Sequence, residues 1–433
     1  MAKGKNKKNT NHIDSVNISQ NKEDTHKEKI EDPIPNEDVT SDEESITEEG
    51  IASEEDSNTD EGLTSDTELG VDFDAIKRKK RRKLIIRSLR ILFTIGFFVF
   101  VALFINETLI QPYKLKKSID RARDLYHYEE EALPTKEPDK ALDDSEDKQI
   151  ANSDIDPLDI VTPTPTPDPN RDDMGRLKKF ANLLEVNEDV KGWIRIDNIN
   201  GENDTKIDYV VVQSDISDPE YYLDKRWDTH EYLKAGSIFL DSTSSLERNS
   251  KNLVIHGHNM TSSDDMFHYL LNYNEVDYLK EHPIISFDTI YEEAMWKIFS
   301  VYITPGTNQR DDFFPYVKSS FASKKDFIEY IYQIRLRSLF DMDDIDINED
   351  DQILTLSTCS YELSNYRTII VARKVRENED PSVNTDGFEK RDKEDVLYAP
   401  SYYWRYGGKA PKVPSFEEAL QDGLMPWYNP MSR

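Results

Sequence analysis

Residues 353 to 362 read Ile353-Leu354-Thr355-Leu356-Ser357-Thr358-Cys359-Ser360-Tyr361-Glu362. An apolar, β-rich run ends in small hydroxyl residues and the chain's single cysteine. The run predicts a strand over 352–358, with the thiol at its end, where side chains meet a cleft. Eight residues on, Arg367 opens a second apolar run, Thr368-Ile369-Ile370-Val371-Ala372, which predicts a strand over 367–375. Paired as a hairpin, the two strands set Cys359 and Arg367 face to face across its mouth. A guanidinium there holds a thiolate and an oxyanion.

Working outward, strand signals recur over 190–196, 207–213, 236–240, 252–256, 284–287 and 294–303. Eight short strands separated by turns and a few helices predict a mostly β fold, a closed or nearly closed barrel. Helical spacing marks 174–184 and 266–280. It also marks 324–339, where Phe327, Ile328, Ile331, Ile334 and Leu339 lie along one side.

A single cysteine excludes an internal disulfide and is either a small buried hydrophobe or a reactive group. A cysteine nucleophile needs an imidazole to carry protons to and from the leaving amine. Leu253-Val254-Ile255-His256-Gly257-His258-Asn259-Met260, a strand running into a glycine turn, supplies the candidate, His258. His256 has the parity of a buried strand face and is expected only to pack. A zinc site on His256 and His258 is the competing reading, but no third ligand clusters with them at metal spacing.

These residues carry a family resemblance. Thr355-Leu356-Ser357-Thr358-Cys359 with Arg367 downstream resembles the sortase signature, and Gly257-His258-Asn259-Met260 is similar to the sortase histidine motif. Class B is resembled in particular, through Gly192-Trp193-Ile194, the run from Ile207 to Gln213, Tyr221-Tyr222-Leu223, Gly236 to Asp241, Met266-Phe267 and His282-Pro283-Ile284 in that order. The resemblance covers roughly residues 174 to 377. It implies an eight-stranded sortase barrel from a Gram-positive cell and a cysteine transpeptidase that needs no cofactor and no metal. Such an enzyme cuts the C-terminal sorting signal of a secreted protein, holds it as a thioacyl, and passes it to an amine of a peptidoglycan precursor or a pilin. By carry-over, Cys359 attacks, His258 is the acid/base and Arg367 stabilises the oxyanion. Ser357, Thr358, Asn259 and Tyr361 are expected along the substrate groove. A pilin polymerase, a hydrolase and an idle scaffold are the alternatives. No second apolar span follows, which favours wall anchoring over pilus assembly.

The rest of the chain supplies an anchor and spacers. Hydrophobic residues make up 36% and charged residues 33% of the 433, with a net charge of −31, so one core cannot fill the whole length. That acidity argues against general nucleic-acid binding. Residues 1–83 are an acidic segment expected to be disordered, ending in Lys77-Arg78-Lys79-Lys80-Arg81-Arg82-Lys83. Residues 84–110 contain a charge-free apolar core from Ile91 to Ile105 and are expected to cross a membrane once. The basic cluster predicts a cytoplasmic N-terminus and an extracellular remainder. Residues 111–173 are expected as a charged, Thr/Pro-rich stalk with a short helix near 115–128. The catalytic domain is expected over 174–377, and residues 378–433 as an aromatic, proline-rich tail.

Overall fold

The computed structural model describes residues 73–127, 168–306 and 313–430. The acidic head through residue 72 and the Thr-Pro stretch of the expected stalk lie outside them.

Eight strands close into a barrel: β1 (Val190–Arg195), β2 (Asp208–Val212), β3 (Ile238–Leu240), β4 (Asn252–His256), β5 (Ile284–Thr289), β6 (Met295–Pro305), β7 (Ile353–Ser360) and β8 (Tyr366–Lys374). Their order around the barrel is β1-β2-β3-β4-β7-β8-β6-β5. The β2/β3 and β4/β7 pairs are parallel and the others antiparallel. Each expected strand is present, with ends shifted by a residue or two. Apolar runs bounded by turns were sufficient signal, because side chains from these strands fill one continuous core. Ile194, Val211, Leu240, Ile255, Phe287, Val301, Leu356 and Ile370 all contribute to it.

Among the described residues seven α-helices accompany the barrel: α1 (Phe73–Ile105), α2 (Gln111–His127), α3 (Ala181–Val186), α4 (Val276–Glu281), α5 (Lys324–Arg337), α6 (Pro400–Tyr406) and α7 (Phe416–Gln421). α5 matches its expectation. It starts at a Ser323 cap, whose side chain accepts from the Asp326 N–H, and it buries Phe327, Ile328, Ile331 and Ile334. Two other helices are shorter than their apolar spacing suggests. Residues 172–175 form a turn closed by Gly175 N–H on the Asp172 carbonyl, with Gly175 at φ 75°; Leu177 N–H then bonds the Ile290 carbonyl, and a 3₁₀ turn over Lys178–Phe180 leads into α3. Met266 sits at φ 60° in a two-residue ladder with Asn259, so helix cannot begin there. A 3₁₀ stretch over His268–Asn274 follows, and Glu275, in extended conformation, separates it from α4.

Both ends of the folded domain differ from the expected boundaries. α1 continues through five π-helical residues, Asn106–Ile110, into α2, and α2 docks on the barrel. Leu115 and Ala122 are buried, and the Trp227 indole donates to the Ser118 carbonyl at 3.0 Å. Arg121 pairs with Asp228 at 3.0 Å, and the Tyr126 ring lies flat on Trp193 with centroids 4.2 Å apart. The first part of the expected stalk therefore belongs to the domain. The tail does too: Phe416, Ala419, Met425 and Trp427 join the main core, and Ile347 N–H bonds the Trp427 carbonyl at 2.8 Å. The helix running from Phe73 to His127 is long and apolar enough to cross a membrane, and α1 buries none of its side chains.

Trp427→Ala should destabilise the domain by about 3–5 kcal/mol, the cost of emptying an aromatic core site. A chain beginning at residue 174 should unfold at a lower temperature than one beginning at Gln111, because it lacks α2. Urea and thermal unfolding followed by circular dichroism measure both effects. Wild-type stability in both would show that tail and helix lie outside the cooperative unit.

Candidate active site

The site is assembled on the C-terminal end of β7. On one side β8 runs antiparallel in unbroken register from Ile353↔Arg373 to Ser360↔Tyr366, and this register makes Cys359 and Arg367 direct partners. Residues opposite each other in such a pair present side chains on the same face, with Cβ atoms about 5 Å apart. On the other side β4 runs parallel and sets His256 beside Ser357. The chain leaving β4 is then tied to β7 by three hydrogen bonds. Gly257 N–H donates to the Ser357 carbonyl at 3.2 Å, Thr358 Oγ1 donates to the Gly257 carbonyl at 2.9 Å, and Asn259 Nδ2 donates to the Cys359 carbonyl at 3.1 Å. His258 is thus delivered to the strand end that carries the thiol. An added Cβ on Gly257 would fall 2.5 Å from Ile238 and 2.7 Å from the Phe267 ring, so this turn requires glycine.

His258 Nε2 lies 2.8 Å from the Leu223 carbonyl. A carbonyl only accepts, so Nε2 carries a proton, and Nδ1 is the nitrogen left to exchange one. Gly236, at φ 57°, packs against that carbonyl: a Cβ there would sit 2.2 Å from the Leu223 oxygen. The Cys359 thiol is free and part-exposed. The Arg367 guanidinium bonds the Tyr366 carbonyl at 3.2 Å and Asn365 Oδ1 at 3.3 Å, and it lies over Gly306, where a Cβ would come within 2.7 Å of it. Among the described residues no carboxylate forms an ion pair with it.

The other expected site residues occupy varied positions. Asn259 is buried, its amide joining the Cys359 carbonyl to His268 Nδ1, which donates to Asn259 Oδ1 at 2.7 Å. Thr358 is buried in its bond to Gly257, Ser357 is buried, and Tyr361 is 65% exposed on the turn after β7. His256 does more than pack. Half-buried, it lies over Phe239 and pairs through Nε2 with Asp241 at 3.1 Å. Burial pushes the Asp241 carboxyl up, but His256 and Thr243 outweigh this and hold it below the usual carboxylate range. Tyr316 was not foreseen. Buried, it lies edge-on to His256 with ring centroids 6.5 Å apart, and burial pushes its phenol up. The Leu223 carbonyl, Gly236 and Gly306 were also unforeseen as site elements. The motifs Tyr221-Tyr222-Leu223 and Gly236 to Asp241 contained the first two, and no motif contained Gly306.

A family model described as Sortase domain matches residues 196–375. Sortase B of Listeria monocytogenes is 34% identical over 184 residues, which cover 42% of this chain and 68% of that protein. Sortase B of Staphylococcus aureus is 27% identical over 200 residues, covering 46% and 75%. The crystal structure of Clostridium perfringens sortase B is 31% identical, with a TM-score of 0.40, and the match covers 45% of this chain and 99% of that one. The chain belongs to the sortase family. It is a cysteine transpeptidase whose relatives are sortases of class B.

Gly236→Ala should push the Leu223 carbonyl aside and release His258. Misplacing a catalytic group by about 1 Å costs on the order of 10²-fold, so acyl transfer should fall by about 10- to 10²-fold. Kinetics on the folded variant, with the His258 imidazole followed by NMR, test this. Unchanged transfer would show that the Leu223 contact does not position the ring.

Proposed function

We propose that this chain is a membrane-anchored sortase that cleaves the C-terminal sorting signal of secreted proteins and joins them to an amine of a peptidoglycan precursor. The observation that carries the reading is the cross-strand pairing of Cys359 with Arg367, on a strand end to which the His258 turn is also tied.

In this reading Cys359 passes its thiol proton to His258, and the resulting thiolate attacks the scissile carbonyl. A C–S bond forms and the carbonyl oxygen becomes an oxyanion. Arg367, free of a carboxylate partner among the described residues, stabilises that charge. Collapse breaks the C–N bond, and His258 gives the leaving amine its proton. The incoming amine then attacks the thioacyl carbon, His258 takes a proton from it, and the C–S bond breaks to return the thiolate. Thr358 and Asn259 act as positioning residues, since their polar groups hold the turn and the Cys359 backbone. Ser357 and Tyr361 are assigned to the peptide groove. The helix from Phe73 anchors the enzyme, and its basic start, Lys77 to Lys83, favours a cytoplasmic N-terminus and an extracellular barrel.

Cys359→Ala should abolish thioacyl formation and turnover. His258→Ala should cost about 10²- to 10⁴-fold. Arg367→Lys keeps the charge but loses the planar fork, and should cost about 10²- to 10³-fold. His256→Ala should retain activity in whatever folds. Mass spectrometry of products from sorting peptides, with and without an amine acceptor, reads cleavage and transfer separately. Wild-type cleavage by folded Cys359→Ala would refute the assignment, and an active His258→Ala beside a dead His256→Ala would transfer the role to the other ring.

Orientation is tested separately. Protease added to intact cells should remove a C-terminal tag and spare an N-terminal one. The reverse pattern would overturn the extracellular placement.

A further inference from the structure

The family match ends at residue 375, and the chain beyond it folds back over α5 and the end of β6. Between them lies a cavity of about 340 Å³ whose lining includes Ile303 and Thr304 of β6, Arg337 at the end of α5, and Tyr398, Pro400 and Tyr403 of the tail. Thr304 is the cross-strand partner of Arg367, which is the partner of Cys359. The cavity therefore begins two strand spacings from β7, about 10 Å.

Arg337 distinguishes this cavity. Its guanidinium stacks over Phe314 at 4.2 Å and bonds the Gln333 carbonyl and side-chain oxygen of its own helix at 2.8 and 2.9 Å. Among the described residues no carboxylate reaches it. Arg337 shares this with Arg367 and with the buried Arg335, which bonds the Met342 and Ile345 carbonyls, whereas Arg226 pairs with Asp228, Arg373 with Glu379, Arg376 with Asp346 and Asp351, and Arg391 with Asp341. The chain has 86 acidic residues against 55 basic ones, so acidic partners were in ample supply. A guanidinium stays charged even when partly desolvated, and it is planar, suited to holding a carboxylate through two parallel bonds. Tyr403 builds the wall and is not a ligand, because its hydroxyl already donates to the Val396 carbonyl and accepts from Tyr398 N–H.

We propose that this cavity is an anion subsite in which Arg337 binds the free carboxylate of the peptide that supplies the acceptor amine. The inference rests on the transpeptidase reading above. The geometry sets the acceptor's length. With its amine at the acyl carbon on Cys359, a peptide of about three extended residues, at about 3.3–3.6 Å each, brings its carboxylate to the cavity.

The test uses the full-length chain carrying Cys359→Ala, so that binding is read without turnover. Triglycine and triglycinamide, which differ only in the terminal carboxylate, are titrated by saturation-transfer NMR. Triglycine should bind about tenfold tighter, the lower end expected of a hydrogen bond to a charged group. Adding Arg337→Gln should bring the ratio to about one. Arg337→Lys, which keeps the charge and loses the fork, should restore part of it. Circular dichroism verifies that both variants fold. Equal binding of the two peptides by the Arg337 chain, binding of neither, or a preference that survives Arg337→Gln overturns the proposal. Thioacyl formation by the Cys359 chain on sorting peptide does not involve Arg337, so failure of the transpeptidase reading is seen separately.

Discussion

The register between β7 and β8 is the constraint on which the site depends. Side chains alternate along a strand, so a slip of one residue would turn Cys359 to the opposite face from Arg367. Packing and pairing both forbid that slip. β7 is paired over its whole length with β8 and over five residues with β4. Ile353, Leu354, Leu356, Ile369, Ile370, Val371 and Ala372 are fully or almost fully buried, which leaves neither strand a solvated face to exchange. A polar lock is set within this apolar surround. Thr355 Oγ1 donates to Asn252 Oδ1 at 2.8 Å, and Asn252 Nδ2 donates to the carbonyls of Tyr316 and Lys318. β4, β7 and the segment bearing Tyr316 are thereby fixed by one buried amide.

What the sequence made legible follows from separation along the chain. Cys359 and Arg367 are eight residues apart in one hairpin, so local strand patterning was enough to pair them. His258 was legible by residue type and its glycine turn. Its hold on the ring was not, because Leu223 lies 35 residues earlier and contributes a backbone carbonyl that any residue supplies. His256 misled for the same reason: its alternation suggested a packing residue, while its partner Asp241 stands at the end of another strand. The helix near 115–128 was legible from its pattern, but the groove that receives Leu115 and Ala122 exists only once Trp227 and Trp193 are in place. The aromatic tail carried no periodic signal at all. Its burial depends on the surface that α5 and Ile347 present to Trp427.

One network of ion pairs lies where the tail leaves the barrel. Arg373, almost wholly buried on β8, pairs with Glu379 at 2.7 Å, and Lys297 reaches the same carboxylate at 2.8 Å. Burial alone would raise the Glu379 carboxyl, but the two cations reverse this and hold it well below the usual range. Arg376 bonds Asp351 and Asp346 beside it. The tail thus departs from a fixed point. Further along, Arg391 donates to the Arg335 carbonyl, which also accepts the C-cap N–H of Ser338, and to the Ser338 carbonyl just past the end of α5.

The barrel's own pairing accounts for the tail's course. β5 meets β6 only from Met295 to Lys297, so the later part of β6 has one edge without a strand, at the end nearest the site. An uncovered edge invites unwanted pairing. Leu339 N–H takes the Val301 carbonyl, Leu397 N–H bonds Leu336, and Tyr398 and Tyr402 pack with Ile303 and Tyr366. The tail closes the open side and also grips the turn between Cys359 and Arg367, where the Tyr406 hydroxyl donates to the Glu362 carbonyl at 2.6 Å. The segment that covers the sheet edge is therefore in direct contact with the loop that spaces the thiol from the guanidinium. The geometry of that loop cannot be set by the barrel alone.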